Sequence, residues 1–322
     1  MENTAILTGG DSAEYEISLL SANTVLQHLN PELFKGYIVN LKDDVFTVLM
    51  NGNSIKMNNQ DFSFTYKNEK IKFEKIFMAL HGSPAENGLI QPYFDNLNIP
   101  YTCCNAAVSA LTFDKYKCNN NLKELGFNCA TSYIYHKGDR IDTNTILKKV
   151  GLPCFVKPNG AGSSFGISKV KVRVQLATAI DKALMHDNKV LIEQFIKGTE
   201  VSCGVYFNTE QVIALPITEI VSENEFFDYQ AKYEGKSEEI TPARINSELT
   251  SVIQKTSIDC YKKINLWGIC RIDYIIMEDI PYIIEINTIP GFSEESIIPK
   301  QLKAADLKLS EVFEMCLLNT NN

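Results

Sequence analysis

Four polar side chains punctuate an otherwise apolar stretch near the end of the chain: Arg271, Asp273, Glu285 and Asn287. The stretch reads as two strands joined by a short polar turn at 277–281. Side chains alternate across a strand, so Arg271 and Asp273 share one face, as do Glu285 and Asn287. Pairing Met277 with Pro281 across the turn sets Asp273 opposite Glu285 and Arg271 opposite Asn287, and one face carries all four. Two carboxylates facing each other in an Ile-rich sheet repel and lose hydration, which is costly unless a cation lies between them. Asp273, Glu285 and Asn287 are hard oxygen donors suited to magnesium, an ion that keeps several waters and bridges to nucleotide phosphates. The competing reading is an exposed hairpin face carrying ordinary charges.

Phosphates need cations and backbone N–H groups. Lys157 ends an apolar strand and is followed by Pro-Asn-Gly160-Ala-Gly162-Ser163-Ser164-Phe-Gly166, a glycine-rich turn whose backbone can approach phosphates while the lysine supplies charge. The spacing is not that of a Walker A loop, and taken alone the segment is a plain hairpin. Lys115 and Lys232 add two further cations, each ordinary as a surface charge when taken singly. Glu193 and Glu200 bracket a short segment containing Ile196, with the layout of a hinge that seats an adenine and holds its ribose.

Three more groups sit where a carboxylate, an ammonium or an oxyanion could be held. Gly291 allows a tight turn just after the acidic strand, and Ser293 with its acidic neighbours reads as a helix start. A helix start there presents N–H groups and the Ser296 hydroxyl to an anion. Glu14 follows the turn Gly9-Gly10-Asp11-Ser12 and reads first as a first-turn residue favoured by the helix dipole. His81 lies on a glycine turn at a strand end, where a loop role and a functional one compete.

The elements that must position these groups alternate at first. Strands near 5–8, 37–41 and 76–80 and helices near 14–29 and 89–97 argue for a small open α/β sheet, whose ligands collect at the carboxyl ends of its strands. Helices near 106–125 and a β-rich remainder with hairpin signals follow. The expected division is 1–103, an N-terminal α/β domain on the first-substrate side; 104–193, a central subdomain; and 194–322, a C-terminal domain with the metal site. The polar stretch 222–239 reads as a lid. The fold class is α/β with α+β portions.

The 322 residues carry a net charge of -8, which lacks the basic footprint of a nucleic-acid binder. Nothing approaches the length of a membrane span, and no leader precedes the first strand, so no membrane insertion and a cytoplasmic location are expected. Nine cysteines without a C-x-x-C pair are expected to be reduced, buried thiols, the adjacent Cys103-Cys104 included.

Taken in order, the segments resemble the D-alanine:D-alanine ligases of the ATP-grasp superfamily over nearly the whole chain. The matching motifs are GG-x-S-x-E at 9–14, HG at 81–82 with ENG-x-x-Q at 86–91, IPYT at 99–102, T-x-DK ending at Lys115, VKP and GSS across 156–164, LIE ending at Glu193, DY-x-AKY at 228–233, RID at 271–273 and E-x-NT-x-PG at 285–291. The wording LTFDKY and PNGAGSSFG is similar to the Bacteroidetes-type branch. The resemblance implies the ATP-grasp fold, two magnesium ions (manganese as a substitute) held by Asp273, Glu285 and Asn287, and ATP as co-substrate with its phosphates met by Lys115, Lys157, Ser164 and Lys232. Two D-alanines are joined through an acyl phosphate, making a peptidoglycan precursor. By the same resemblance Glu14 holds the first ammonium, His81 is a further substrate-binding residue, Ser296 holds the second carboxylate, Arg271 and the Gly291 N–H stabilise the oxyanion, and Ser163 and Tyr233 join Glu14 in a network ordering the lid. A homodimer is implied by analogy. Ala85, Pro92, Cys103 and Ala161 depart from the family's commonest pattern without removing a ligand. The rivals are another ATP-grasp carboxylate–amine ligase and an inactive nucleotide-binding regulator. No histidine occurs at 222–239, whereas the related depsipeptide-forming ligases carry one on the lid, so D-alanine and not D-lactate is the expected second substrate.

Overall fold

The computed structural model describes residues 1–160, 166–222 and 237–320. Its first sheet is built on β1 (Glu2–Gly9), whose side chains are buried from Ala5 to Gly9. Burial on both faces is what a strand with parallel neighbours requires, and β1 pairs in parallel with β2 (Phe34–Lys42) and later with β7 (Lys75–Met78). The crossover between β1 and β2 is α1 (Tyr15–His28). The sheet continues outward through β3 (Val45–Met50) and β4 (Asn53–Lys56), with β5 (Ser63–Tyr66) and β6 (Glu69–Lys72) as a separate hairpin. Two-residue turns with both φ angles positive close these hairpins: Asp43-Asp44, Asn51-Gly52 and Lys67-Asn68. That conformation matches the twist of the flanking strands.

After α2 (Gln91–Leu97) come α3 (Ala106–Phe113) and α4 (Lys115–Glu124), capped by the side chains of Asn105 and Asp114. The expected continuous helical region near 106–125 is therefore two helices, broken at Asp114, whose extended backbone ends one and whose carboxylate caps the next. Both pack on the last sheet, where Cys118 and Leu122 share a core with Ile272, Tyr274 and Ile286.

A four-stranded antiparallel sheet runs β10-β9-β11-β8, from β8 (Ser132–His136), β9 (Cys154–Pro158), β10 (Ser168–Val170) and β11 (Lys189–Gln194). Helices α5 (Thr143–Val150) and α6 (Leu176–Ala183) bury Ile146, Val150, Leu176 and Ile180 against it.

The last sheet contains β12 (Thr199–Phe207), β13 (Val212–Ala214), β14 (Thr218–Ser222), β15 (Ser237–Ile240), β16 (Cys270–Met277) and β17 (Ile280–Asn287), in the order β15-β14-β12-β16-β17 with β13 also on β12. Helix α7 (Ser247–Ile264) covers one face. Helices α8 (Ile297–Ala304) and α9 (Leu309–Leu318) turn back to the first sheet, where Phe313 meets Phe77 edge to face at 5.0 Å. All nine cysteines are buried free thiols. No helix among the described residues is long and apolar enough to cross a membrane.

Candidate active site

The β16–β17 hairpin sets Asp273 opposite Glu285 and Arg271 opposite Asn287. The turn differs from the expected one. Met277 pairs with Ile280, not Pro281, around a two-residue turn at Glu278-Asp279 with both φ positive. A register shift between Asp273 and Tyr274 then leaves Ile284 as an extra residue and restores the Asp273–Glu285 pairing. Ile284 and Glu285 consequently both line the cavity.

Within this face Arg271 donates from Nε and Nη2 to the two oxygens of Asp273, each at 2.9 Å. Asp273 also accepts from Ser202 Oγ at 2.6 Å and Asn287 Nδ2 at 2.9 Å. Burial alone would lower the Arg271 pKa, but the Asp273 charge and hydrogen bonds outweigh it and raise it. Glu285 pairs with Lys115 Nζ at 2.9 Å. There too burial opposes and the Glu285 charge and hydrogen bond prevail, holding the ammonium above its usual range. Protein cations thus answer the repulsion that the sequence placed between these carboxylates.

Lys115 opens α4, and its helix is tied to the strand carrying Lys157. Asn159 Nδ2 donates to the capping Asp114 at 2.8 Å, while Asn159 Oδ1 accepts from Tyr116 N at 2.9 Å. Lys157 is buried and pairs with Glu193 Oε2 at 2.8 Å. Leu191 faces Lys157 and Glu193 faces Phe155, so Lys157 and Glu193 are diagonal neighbours on one face of β9 and β11. Asn119 Nδ2 satisfies the other Glu193 oxygen at 2.8 Å. Buried Ile196 and Ile220 and half-buried Phe155, Ile275 and Ile284 form apolar walls around this end, where Glu200 lies opposite both Ile220 and Ile275.

At the other end Glu14 is the N-cap of α1, one residue before the helix it was expected to open. Gly82 has φ +75°, a conformation that favours glycine, and a Cβ there would stand 2.9 Å from Ser12 Oγ and 3.2 Å from Glu14 Oε2. Gly82 N donates to Glu86 Oε2 at 3.2 Å. The cavity environment, poor in solvent, pushes the Glu86 carboxyl up to about 8, with the Glu14 and Glu285 charges acting the same way.

His81 is buried between two parts of the chain. Its Nδ1 lies 2.8 Å from the Ile289 carbonyl, so Nδ1 carries the proton, and Nε2 accepts from Ser21 Oγ at 2.8 Å. Ser21 Oγ in turn accepts from Phe292 N at 3.0 Å. Burial lowers the imidazole pKa, consistent with this neutral tautomer. Both ring nitrogens are engaged within the protein, and His81 fixes the loop that holds Gly291. A Cβ on Gly291 would lie 2.6 Å from Ser296 Oγ, so only glycine lets the hydroxyl approach this closely. Ser296, not Ser293, is the N-cap of α8; its hydroxyl makes no cap bond and lies 2.7 Å from Ser293 Oγ.

One cavity of about 360 Å³ therefore receives Glu14, His81, Lys115, Lys157, Glu193, Ile196, Glu200, Arg271, Asp273, Glu285, Asn287, Gly291 and Ser296. That lies toward the lower end of the range for small-ligand pockets, about 300–1,000 Å³. Ser163, Ser164, Lys232 and Tyr233 lie outside the described residues. Among the described residues no group of three or more His, Cys, Asp or Glu side chains forms a metal-holding cluster. The available donors are two carboxylates and one amide on the shared face, a set that fits a hard divalent ion completing its shell with water and phosphate. The sequence reading missed Glu86, Asn119, Ser202 and Ser21. Glu86 lay within a quoted motif, but the others act across long sequence separations and carry no local signal.

The family model for the D-ala D-ala ligase N-terminus matches residues 3–104, and that for the C-terminus matches 122–317. The chain belongs to the D-ala D-ala ligase family. It is 49% identical to a D-alanine--D-alanine ligase of Flavobacterium johnsoniae over 97% of each chain, and 44% identical to that of Phocaeicola vulgatus over 96% of each. Among solved structures it is similar to the VanG D-Ala:D-Ser ligase of Enterococcus faecalis, with TM-score 0.85, 29% identity and 98% of each chain covered. It is also similar to D-alanyl-alanine synthetase A of Vibrio cholerae, with TM-score 0.87, 26% identity and 99% and 98% covered. The ATP-grasp fold expected from the motifs is the fold observed.

Proposed function

We propose that the chain joins two D-alanines into D-alanyl-D-alanine at the expense of ATP, releasing ADP and phosphate and supplying a peptidoglycan precursor. The observation that carries this reading is one cavity lined by the Glu14 carboxylate, a two-acid face with its arginine, and a helix start whose Ser296 hydroxyl makes no cap bond.

In this reading Glu14 holds the ammonium of the first D-alanine and directs its carboxylate toward the γ-phosphoryl group. Lys115 and Lys157 neutralise the phosphates, while Glu193, Ile196 and Glu200 seat the nucleoside. Asp273, Glu285 and Asn287 would hold magnesium, which supplies charge neutralisation on the phosphates when bound. The carboxylate takes the phosphoryl group and ADP leaves. The amine of the second D-alanine, its carboxylate held by Ser296 and the N–H groups of α8, then attacks the acyl carbon. Arg271 and the Gly291 N–H stabilise the oxyanion, and inorganic phosphate departs as the peptide bond forms. Ser163, Ser164, Lys232 and Tyr233 complete the set as the family motifs imply.

The decisive measurement is a competition at neutral pH between equal D-alanine and D-lactate, with products identified by mass. D-alanyl-D-alanine is expected to dominate. Predominant depsipeptide would overturn the choice of second substrate, and no product from either would point to another carboxylate–amine ligase sharing the same ATP machinery.

A further inference from the structure

The cavity holds a carboxylate that none of these roles uses. Glu239 lies on β15 opposite Ile220, and both line the cavity. Its Oε2 accepts from Lys300 Nζ at 3.2 Å. Lys300 belongs to the first turn of α8, where its backbone N–H donates to the Ser296 carbonyl at 3.4 Å. A second carboxylate, Glu295, lies 3.6 Å from the same ammonium but is 92% exposed. Glu239 is only 19% exposed, and its charge is among those that keep the Arg271 guanidinium protonated. Glu239 thus lines the cavity between Ile220 and the first turn of α8, whose N-cap is Ser296.

A substrate whose carboxylate sits on Ser296 and the α8 N-terminus carries its α-substituent one bond away. Asp273 is assigned to the metal in the reading above and already accepts from Arg271, Ser202 and Asn287, so Glu239 is better placed to meet that group. Among the described residues Glu239 is a half-buried carboxylate of the cavity wall that the roles above leave unassigned. It attracts an ammonium, offers no charge complement to a hydroxyl, and repels a carboxylate placed the wrong way round.

We propose that Glu239, held in place by Lys300, is a specificity-determining residue for the second substrate, recognising its α-ammonium and excluding α-hydroxy acids. The inference rests on the dipeptide reading above and deepens it. The carboxylate is the recognising group, and Lys300 is a positioning residue that fixes it against the first turn of α8.

The test uses the full chain with ATP and magnesium, determining separate KM values for the two D-alanine sites and the product ratio in mixtures with D-lactate or D-serine. Glu239→Gln should raise the second-site KM about tenfold and increase the depsipeptide share, with first-site and ATP KM values changed less than about twofold. Glu239→Asp, which keeps the charge, should restore most of the preference. Lys300→Met should shift the same two quantities in the same direction by a smaller factor. An unchanged second-site KM and product ratio in Glu239→Gln would overturn the proposal. So would equal rises at both sites with no rescue by Asp, the pattern of a stitch between β15 and α8. A wild-type enzyme that makes no dipeptide would reject the underlying reading, whereas normal wild-type product with an indifferent Glu239→Gln variant would reject this inference alone.

Discussion

Glu86 and Glu14 flank the same glycine, yet their surroundings ask different things of them. Glu86 sits in a solvent-poor wall facing Glu14, Glu285, Arg271 and Lys115, and its carboxyl is pushed up to about 8. An unfolded chain ionises this group near its ordinary value of 4.5, so between 4.5 and about 8 the folded state binds more protons than the unfolded one. Stability contributed by this group is fully present below 4.5 and is lost as pH rises through about 8. Glu86→Gln keeps an acceptor for the Gly82 N–H but cannot ionise. Melting curves at several pH values should show the variant gaining on the wild type across that window, and a constant difference in Tm would contradict the assignment. The residue types at the ends of the cavity were legible in sequence because each follows a glycine turn or opens a helix. Glu86 was not, because its character comes from burial, and Glu14 with Glu285 reach it from distant parts of the chain.

The hairpin of β16 and β17 shows what an element adds to a motif. Alternation placed Arg271, Asp273, Glu285 and Asn287 on one face, and that holds because the bulge at Ile284 offsets the one-residue error in the turn, which alone would have put Glu285 and Asn287 on the opposite face. It did not reveal that a two-residue turn and an extra residue replace the wider loop, since Glu278-Asp279 is a weaker signal for positive φ than Asn-Gly. Strands β3 to β6 escaped notice because β3 spans six residues and the others four each, too few to establish an alternation, and only Asn51-Gly52 announces a turn. The bulge has a consequence of its own. Besides bringing Glu285 opposite Asp273, the added residue aims Ile284 into the cavity beside Ile275, whose cross-strand partner is Glu200. Ile284→Ser should therefore weaken ATP binding about tenfold, the loss of roughly 1.4 kcal/mol of apolar contact, and leave the KM for D-alanine nearly unchanged. Isothermal titration with ATP and steady-state kinetics distinguish this from a general loosening, which would move both.

At the scale of the molecule, the two later sheets and helix α4 bring opposite charges to one cavity in closed pairs: Lys115 with Glu285, Lys157 with Glu193, and Arg271 with Asp273. Each pair is satisfied without a ligand, which explains how so many charges can line a partly buried space. Bringing triphosphate in alone would draw Lys115 toward phosphate and leave Glu285 facing both a new anion and Asp273. A divalent cation arriving with the nucleotide resolves that conflict, because the acidic face then meets the metal while the lysines meet phosphate. Binding energy from ATP should accordingly be realised only with the metal present. At about a hundredfold excess over Kd a ligand adds roughly 2.7 kcal/mol, which for a chain of this size corresponds to a Tm rise of about 5 °C. Thermal scans should show that rise with ATP and magnesium, and a change of less than about 1 °C with ATP and a chelator. Equal stabilisation in both conditions would mean that the lysines and glycine loop hold the nucleotide unaided. In that case the Asp273–Glu285–Asn287 face would have to be read as an internal brace for Arg271 and Lys115, and the role assigned to it in the phosphoryl step would have to be given up.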